Sequence, residues 1–488
     1  MDTLRTLFLN PPSFEGFDGG AGSRYQARRE VRSFWYPTWL AQPAALIPNS
    51  KLIDAPADGL SFDDVVQMSK GFDLCVMHTS TPSFANDAKV AARLKEIHPR
   101  IRVGLVGPHV AVLPGESLEQ APAVDFVARE EFDYPLLEIA QGRPLAEVDG
   151  ISYRDGAQVR HNKDRALIED MDALPDVLDV YKRDLKVENY YIGYLKHPYL
   201  SLYTGRGCPA RCTFCLWPQT VSGRTYRTRS AAKVLEDMAK AKALFPQVKE
   251  FFFDDDTFTA DLPRAAEIAK GLGRLKLTWS CNSRANVPYD YLKVFKENGL
   301  RLLLVGYESG VQQILNNVHK GVRLDIARQF TRDCRSLGVV IHGTFILGLP
   351  GETKETIQET IRYACDLDVE TIQVSLAAPY PGTELFSQAQ NNGWFAGEGM
   401  VNKDGTQNCV LSYPGLPSSE ITRGLNRMYS RFYFRPKPIV RMLAAMAKDP
   451  EERRRRLREG AEFLRFLWGH QPVEAAGKKA RPEEKAGA

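Results

Sequence analysis

The feature that most constrains the fold of this 488-residue chain is a regular alternation of short apolar runs with stretches of helical spacing. From Leu200 onward six such runs occur: LSLYTG, EFFFDDD, LTWSCNS, LLLVGYES, VVIHGTFILG and TIQVSLAAPY. Strands separated by helices pair in parallel, and six of them form less than the eight-stranded closed barrel. We therefore predict a partial (β/α)6 barrel over residues 199–384, with its chemistry at the carboxyl ends of the strands.

A second alternation occupies residues 1–142. Its strand candidates are TLFLNPP, KLIDAP, DLCVMHTS, IRVGLVGPHV and VDFVARE. This pattern predicts a Rossmann-like α/β domain whose ligand lies beyond the carboxyl ends of the strands. Residues 143–198 contain turn signals such as RDG and LPD and few apolar runs, so we interpret them as a linker.

The region after the barrel is predicted to be helical over residues 385–475 and disordered over residues 476–488. It carries the basic charge of the protein, since Arg431 to Ala488 contain 15 Lys and Arg against 8 Asp and Glu, while the whole chain has a net charge of +4. The segment EERRRRLREGAEFLRFLWGHQP combines arginines with Leu and Phe side chains and Trp468. Such a helix can lie on an anionic membrane surface, or it can dock on the barrel with its basic face in solvent.

The composition indicates the cellular compartment of the protein. No run of about 18 apolar residues is present, and the opening MDTLRTLFLNPPS carries an acid and prolines where a signal peptide needs cations and a longer apolar stretch. We therefore expect a cytoplasmic protein, peripheral on the inner face of the membrane if its basic region binds lipid. Five of the eight cysteines are scattered singly, which favours buried thiols over a disulfide framework: Cys75, Cys281, Cys334, Cys365 and Cys409.

The other three cysteines lie in TGRGCPARCTFCL, where Cys208, Cys212 and Cys215 have the spacing C-x3-C-x2-C. The glycines before them allow the backbone to wrap closely around a bulky ligand. A structural zinc site takes four ligands, commonly in two pairs, and no second pair exists here. Four thiolates normally hold a cubane iron–sulfur cluster. Three thiolates leave one iron free to bind a substrate.

This triplet resembles that of the radical S-adenosylmethionine (SAM) enzymes. The resemblance implies a [4Fe-4S] cluster whose fourth iron is chelated by the amino and carboxylate groups of SAM. It also implies an external one-electron reductant of the flavodoxin or ferredoxin type, because an electron from the cluster cleaves SAM to a 5′-deoxyadenosyl radical. Phe214 matches the aromatic position near the adenine. The alternative is a zinc or redox loop.

The acidic run in FFFDDDTF ends the second barrel strand. Three adjacent carboxylates repel one another unless a cation or hydrogen-bond donor neutralises them. The position matches the segment that receives the amino group of SAM, so Asp254, Asp255 and Asp256 are candidate ligands, the last two first. The alternative is a helix N-cap, which could account for Asp256 or Asp261.

Polar residues also follow the next two strands. In WSCNSRAN, Ser280, Asn282 and Arg284 are candidate SAM ligands, and the guanidinium of Arg284 suits a carboxylate. Glu308 in GYESG can accept from the ribose hydroxyls or hold Arg284, and either residue can instead form an ion pair inside the barrel. GTFILGLPGET and SLAAPYPGT resemble the fifth- and sixth-strand motifs, or are plain strand–helix turns.

The first domain resembles that of the cobalamin-binding class of radical SAM enzymes through LFLNPP, GLVGPHVAVLPGE and VDFVAREE. This chain lacks the Asp-x-His-x-x-Gly loop of other cobalamin proteins. The resemblance therefore implies cobalamin without a protein imidazole below it, and we interpret His78 and His109 as loop histidines in preference to cobalt ligands. Cys75 is the only cysteine of this domain, so the extra cluster of a tRNA methylthiotransferase is not expected, nor is a nucleic-acid substrate.

The whole chain resembles radical SAM enzymes of hopanoid biosynthesis, in its opening MDTLRTLFLNPPSFEGFDGGAGSRYQARREVRSFWYP and in the cysteine loop. This implies a hopanoid glycolipid substrate, in which the glucosamine ring of a glucosaminyl bacteriohopanetetrol is contracted to an aminocyclopentitol (cyclitol) ether. One alternative is a cobalamin-dependent radical methylase acting on a lipid or other small molecule. Another is a non-catalytic metal or cobalamin carrier. The aromatic segment RSFWYPTWLAQP lines a lipid or corrin cleft, or belongs to the core.

Overall fold

A computed structural model describes residues 3–12, 31, 33–397, 399–401, 406–448 and 450–469 of the chain. Two largely parallel sheets with covering helices are followed by a helical region, which confirms the predicted α/β fold class. Among the described residues, no helix is both long enough and apolar enough to cross a bilayer.

The first sheet has the strand order β2-β1-β3-β4-β5-β6-β7. Its strands are β1 (Thr6–Asn10), β2 (Ser50–Asp54), β3 (Leu74–His78), β4 (Arg102–Val106), β5 (Phe126–Ala128), β6 (Ile151–Asp155) and β7 (Gln158–His161). The first five pair in parallel. The order reverses between β1 and β3, where doubly wound sheets open a ligand crevice at the carboxyl ends of the strands. The helices of this part are α1 (Thr38–Leu46), α2 (Ala55–Asp58), α3 (Phe62–Ser69), α4 (Phe84–Ile97), α5 (Pro108–Val112), α6 (Pro114–Gln120) and α7 (Asp133–Ala140).

The predicted linker over residues 143–198 is wrong in part. Strands β6 and β7 form an antiparallel hairpin that extends the first sheet, and α8 (Leu178–Asp184) packs on α1 and β2. Strand β7 is mostly exposed, so it has no apolar run to mark it in the sequence. Its place in the sheet depends on backbone pairing with β6, which residue composition does not reveal. Short 3₁₀ turns occur at Leu145–Glu147, Met171–Ala173, Val187–Asn189 and, later, Phe258–Ala260.

The second sheet contains the six predicted barrel strands in the order β15-β14-β13-β12-β11-β8, all parallel. The strands from the barrel onward are β8 (Tyr199–Leu202), β9 (Gly205–Arg206), β10 (Arg227–Thr228), β11 (Glu250–Phe253), β12 (Trp279–Arg284), β13 (Leu300–Glu308), β14 (Val340–Leu347) and β15 (Thr371–Leu376). The two-residue strands β9 and β10 pair as a separate antiparallel ribbon. The helices are α9 (Trp217–Thr220), α10 (Ala231–Leu244), α11 (Leu262–Arg274), α12 (Tyr289–Glu297), α13 (Gln312–Asn317), α14 (Leu324–Leu337), α15 (Lys354–Leu367) and α16 (Glu384–Asn391).

The two sheets share a hydrophobic core. On β1, Leu7 and Leu9 point to a cluster with the buried residues of α3 and α4. Phe8, on the opposite face, belongs to a cluster that continues through α1 into the barrel as far as Trp279. Because successive side chains of a strand point to opposite faces, one strand contributes to both clusters. The shared core therefore fixes one sheet against the other.

The C-terminal region contains α17 (Ser418–Tyr433), α18 (Pro436–Lys448) and α19 (Pro450–Gly469). The ring of Phe463 on α19 packs on Tyr429 and Tyr433, with centroids 5.3 and 5.4 Å away. Arg455 Nη1 donates to the carbonyl oxygen of Leu195 at 2.8 Å. The basic helix is therefore docked on the protein. The side chains of Leu467 and Trp468 and the predicted disordered tail lie outside the described residues.

Candidate functional site

The cysteine loop lies in the connection between β9 and β10, the two strands of the ribbon, and follows the carboxyl end of β8. Cys208 and Cys212 are buried, Cys215 is half-buried, and all three line one cavity. The loop leaves the ribbon at Gly207, where φ is +90° and an added Cβ would clash with the carbonyl oxygen of Thr225. Glycine adopts this conformation without a steric cost. The backbone conformation before the triplet therefore requires a glycine at position 207.

Two side chains that the sequence analysis missed hold the cysteine loop from behind. Gln219 Nε2 donates to the carbonyl oxygen of Cys215 at 2.7 Å and to that of Thr213 at 3.2 Å. Arg224 Nη1 donates to the carbonyl oxygen of Ala210 at 2.7 Å. These bonds fix the backbone on both sides of Cys212, so the loop is preorganised for a bulky group.

The donor set fits a cubane cluster better than a single zinc ion. In the part of the chain that the structure describes, no three His, Cys, Asp or Glu side chains lie close enough together to hold one metal ion. A zinc ion needs its ligands to converge at about 2 Å, whereas a cubane presents a separate iron to each thiolate. Burial raises the pKa of the Cys215 thiol, and the nearby Asp256, Cys212 and Cys208 raise it further. Iron binding would relieve this cost by stabilising the thiolates.

The three acids after β11 occupy three different environments. Asp254 lines the cavity and its Oδ1 accepts from Asn282 Nδ2 at 3.1 Å. Asp256 also lines the cavity and accepts from Ser222 Oγ at 3.2 Å. Asp255 is fully buried and accepts from Thr204 N, Thr204 Oγ1 and Tyr226 Oη, each at 2.6 Å. Asp254 and Asp256 are therefore placed for a ligand, whereas Asp255 joins β11 to the cysteine-loop ribbon and its prediction as a SAM ligand is corrected.

The residues predicted on β12 also differ in position, since two of them line the cavity and one is buried away from it. Asn282 and Arg284 line the cavity, near the carboxyl end of the strand. Ser280 is fully buried and donates to Glu250, which also accepts from Arg301 Nε at 2.9 Å. Because Glu250 begins β11, Ser280 lies toward the amino end of the sheet and away from the cavity. Its predicted contact with SAM is corrected to a structural role.

Glu308 and Lys320 form a buried ion pair beside the cysteines. Lys320 Nζ lies 2.5 Å from Glu308 Oε1, and both residues line the cavity. Glu308 has a φ of +63° at a register shift between β13 and β14, a conformation that is uncommon outside glycine and is found at functional sites. Arg284 donates to the carbonyl oxygen of Lys320 and does not pair with Glu308 in the hydrogen bonds of this site. The sequence motifs do not predict Lys320, because it lies in the turn after α13 and not at the end of a strand.

The cavity has a volume of about 270 Å³ and mixed chemistry. Its lining contains the cysteines and the charged residues described above. Apolar residues line it as well, with Phe214 and Trp35 among the aromatic ones. Phe34 and Tyr36, which flank Trp35, are buried in the core, so only part of the aromatic segment reaches the cavity. No thiol outside the triplet appears among the described lining residues, and Cys281 and Cys334 are fully buried.

The cysteine loop also contacts the crevice of the first sheet. Trp217, two residues after the triplet, stacks on His78 at the end of β3 and on Trp39, with centroids 5.9 and 4.6 Å away. Next to this crevice, Gly107 has a φ of +115° and a Cβ there would clash with the carbonyl oxygen of Thr79. His109 Nδ1 lies 3.1 Å from the Thr81 hydroxyl. The triplet therefore lines the barrel cavity, while the residue two positions after it packs against the carboxyl end of the first sheet.

A buried ion network joins the same two parts. Arg206 on the ribbon forms a bidentate pair with Asp133, at 2.6 and 3.1 Å, and lies 3.3 Å from Glu131. Arg227 on the facing strand contacts Glu131 at 2.7 Å. A guanidinium fork and a carboxylate fix both distance and orientation. This network holds the ribbon that carries the cysteine loop against the first sheet.

Comparisons with known proteins agree with this geometry. The family model of the radical SAM superfamily matches residues 202–364, which include the triplet and β11 to β14. The chain is 31% identical over 459 residues to the uncharacterized methyltransferase PH0819 of Pyrococcus horikoshii, covering 90% of this chain and 95% of that protein. It is 29% identical over 201 residues to the hopanoid C-3 methylase of Methylococcus capsulatus, covering 40% of this chain and 37% of that protein.

A solved structure extends the likeness in fold to nearly the whole chain. The radical SAM methyltransferase TsrM from Kitasatospora setae, with cobalamin and a [4Fe-4S] cluster bound, superposes with a TM-score of 0.66 at 15% identity. The alignment covers 95% of this chain and 99% of TsrM. The likeness therefore includes the first sheet as well as the barrel. The match to the family model and the similarity in sequence over 90% of the chain show that the chain belongs to the radical SAM superfamily.

Proposed function

We propose that this protein is a cobalamin-dependent radical SAM methyltransferase that acts on a lipid or another small apolar molecule. The observation that carries the proposal is the position of the cysteine loop, which opens on the barrel cavity on one side and contacts the crevice of the first sheet through Trp217 on the other. Similarity over 90% of the chain to a protein described as a methyltransferase supports the reaction type.

The residues of the barrel cavity would hold the cluster and SAM. Cys208, Cys212 and Cys215 would bind three irons, and the carboxylate of SAM suits the guanidinium of Arg284. Asp254 can accept from the SAM amino group, since it lines the cavity. When bound, the cluster supplies the electron that cleaves SAM, and cobalamin supplies a methyl carrier. The ion pair between Glu308 and Lys320 would hold both charged side chains in fixed positions beside SAM.

The crevice of the first sheet would hold cobalamin without an imidazole ligand. His109 contacts the Thr81 hydroxyl, and His78 stacks on Trp217, so both rings already have roles inside the protein. Gly107 lets the turn after β4 pack against the carbonyl oxygen of Thr79 and the ring of His78 at this edge. TsrM, which has a similar fold, was solved with cobalamin bound. These observations support the expectation that the histidines are loop residues.

Contraction of a hopanoid-linked glucosamine ring is the second candidate. The similarity to a hopanoid C-3 methylase supports a hopanoid substrate, and the apolar residues that line the cavity are compatible with a lipid-linked group. In either case a one-electron reductant is required. We also propose a cytoplasmic location, with contact to the membrane through the basic C-terminal region, whose exposed side chains include Leu443 and Leu457 at 59% and 61%.

The test is a reaction of the anaerobically reconstituted protein with methyl-deuterated SAM, a reductant and glucosaminyl hopanoid, followed by mass analysis. Methyl transfer adds a deuterated methyl group to the lipid. Ring contraction releases 5′-deoxyadenosine and rearranges the sugar without incorporating the label. A Cys212→Ala protein, which loses a cluster ligand, is the negative control, and Cys365→Ala, whose thiol lies outside the cavity, is the matched positive control. Absence of labelled product over a panel of hopanoids and small lipids would contradict the main proposal.

A further inference from the structure

A second cleft reaches the cysteine loop from outside the barrel cavity. It has a volume of about 380 Å³. It is lined by residues of the cysteine loop, of the segments that lead into α11 and α12, and of the turn after α13. Five residues line both this cleft and the barrel cavity: Cys208, Ala210, Thr257, Arg284 and Lys320. The cysteine loop is therefore a thin wall between the cleft and the place where the cluster and SAM would lie.

The charge of this outer cleft has one sign. Its described lining contains Arg211, Arg284, Lys320 and His319 and includes no Asp or Glu. Arg211 and His319 are exposed at its rim. By contrast, the cleft between α15 and α17 is lined by acids as well as bases, among them Glu420. Glu308 compensates the charge of Lys320, so the positive charge of the outer cleft comes from Arg211 at the rim and from Arg284. The sequence before the C-terminal region is otherwise net acidic.

From this arrangement we infer that the outer cleft is the docking surface of an acidic one-electron carrier protein, which reduces the cluster through the wall at Cys208. The inference rests on the proposed function, because it assumes that the three thiols hold a cluster. One electron passes from the reduced carrier to the cluster, and the carrier leaves in its oxidised form. No bond between carrier and protein is formed or broken.

The position of the outer cleft allows the cluster to be reduced from a side other than the cavity in which SAM would react. The barrel cavity must hold SAM and substrate and exclude other reactants, so a protein carrier needs a different route to the cluster. The outer cleft offers that route, because Cys208 is buried but borders both spaces. Electron-transfer complexes bury under about 1,200 Å² and depend on charge complementarity for fast association, so a small cationic cleft is sufficient.

The test compares two reductants of opposite charge on the reconstituted full-length protein. Reduced flavodoxin, an acidic protein, and reduced methyl viologen, a small cation, are mixed with wild type and with Arg211→Glu, and cluster reduction is followed by absorbance and electron paramagnetic resonance. We expect Arg211→Glu to lower the second-order rate with flavodoxin about tenfold at low ionic strength. The rate with methyl viologen should be unchanged or higher. Added salt should slow wild type with flavodoxin more than it slows the variant.

Direct binding gives a readout that is independent of catalysis. Calorimetric titration with flavodoxin should show weaker binding to Arg211→Glu and to the milder Arg211→Gln than to wild type. Arg362→Glu, an exposed residue of the cleft between α15 and α17, is the matched control and should behave as wild type. Equal rates and affinities for wild type and Arg211→Glu would overturn the inference, and so would an equal loss with Arg362→Glu or with methyl viologen. Failure to methylate any substrate leaves these measurements intact, so the two proposals can fail separately.

Discussion

The imidazole of His78, at the carboxyl end of β3, stacks on the indole of Trp217, two residues after the last cysteine of the triplet, with their planes 21° apart. Trp217 also stacks on Trp39 with an interplanar angle of 7°. The indole is only 2% exposed. This one side chain therefore connects the cysteine loop of the barrel with the crevice of the first sheet.

Replacement of Trp217 should loosen this connection. For Trp217→Ala we expect a loss of about 3 to 5 kcal/mol in the free energy of unfolding, because a large buried ring leaves a cavity. Iron content after reconstitution and cobalamin retention during gel filtration should fall together. Trp217→Phe keeps a stacking ring and should retain more of both. If iron is lost while cobalamin retention stays at the wild-type level, the proposed link between the two sites is contradicted. Urea unfolding gives the stability.

The separate positions of Asp254 and Asp255 lead to opposite expectations for two neighbouring acids. Asp255→Ala leaves the donors of Thr204 and Tyr226 without their acceptor in a buried site, which should cost about 3 kcal/mol of stability. Asp254→Ala should be milder for stability and should instead weaken SAM binding. Urea unfolding and equilibrium binding of SAM to the reconstituted protein measure the two effects. Weaker SAM binding by an Asp255→Asn protein of wild-type stability would restore Asp255 as a ligand.

Substitution of Arg284 tests the carboxylate site. Arg284→Lys keeps the positive charge but loses the fork and the bond to the carbonyl oxygen of Lys320. We expect the Kd for SAM to rise about tenfold, equivalent to about 1.4 kcal/mol, with little change in iron content. Arg301→Lys, a change of the same type beside Glu250 and away from the cavity, is the control and should bind SAM as wild type does. A wild-type Kd for Arg284→Lys would exclude a bidentate role.

The position of His109 predicts a pH dependence of stability. Burial lowers the pKa of His109 to about 4 from its ordinary 6.5, while the ring packs on Phe84. The unfolded chain therefore takes up a proton at this residue below about pH 6.5, and the folded protein does so only near pH 4. The free energy of unfolding should fall with decreasing pH across this window, by at most about 1.4 kcal/mol per pH unit.

Urea unfolding at pH 7.5 and 5.5 measures this effect. Going from the higher to the lower pH, His109→Gln should lose about 1 kcal/mol less stability than wild type, because glutamine does not titrate. Gln can still contact the Thr81 hydroxyl, so the comparison isolates the charge. Identical pH dependence in both proteins would show that His109 does not set it.

Much of this architecture follows from local sequence. Parallel strands are buried on both faces, so they appear as continuous apolar runs, and all six barrel strands were predicted from such runs. The hairpin of β6 and β7 was missed because its exposed residues carry no such signal. At the site, the spacing of the cysteines predicts that the three thiols lie together, since they are neighbours in the chain, and the structure places all three in the lining of one cavity.

The sequence by itself determined the alternation of strands and helices, the order of the motifs and the spacing of the three candidate cluster ligands, because periodicity and short spacings are properties of the chain. Only the tertiary structure decided which acid faces the cavity and which is buried, and that Lys320 pairs with Glu308. It also placed Trp217 against His78, a residue far away in sequence. Such pairings depend on how two sheets pack through a shared core, and the cost of burying polar groups then selects their partners.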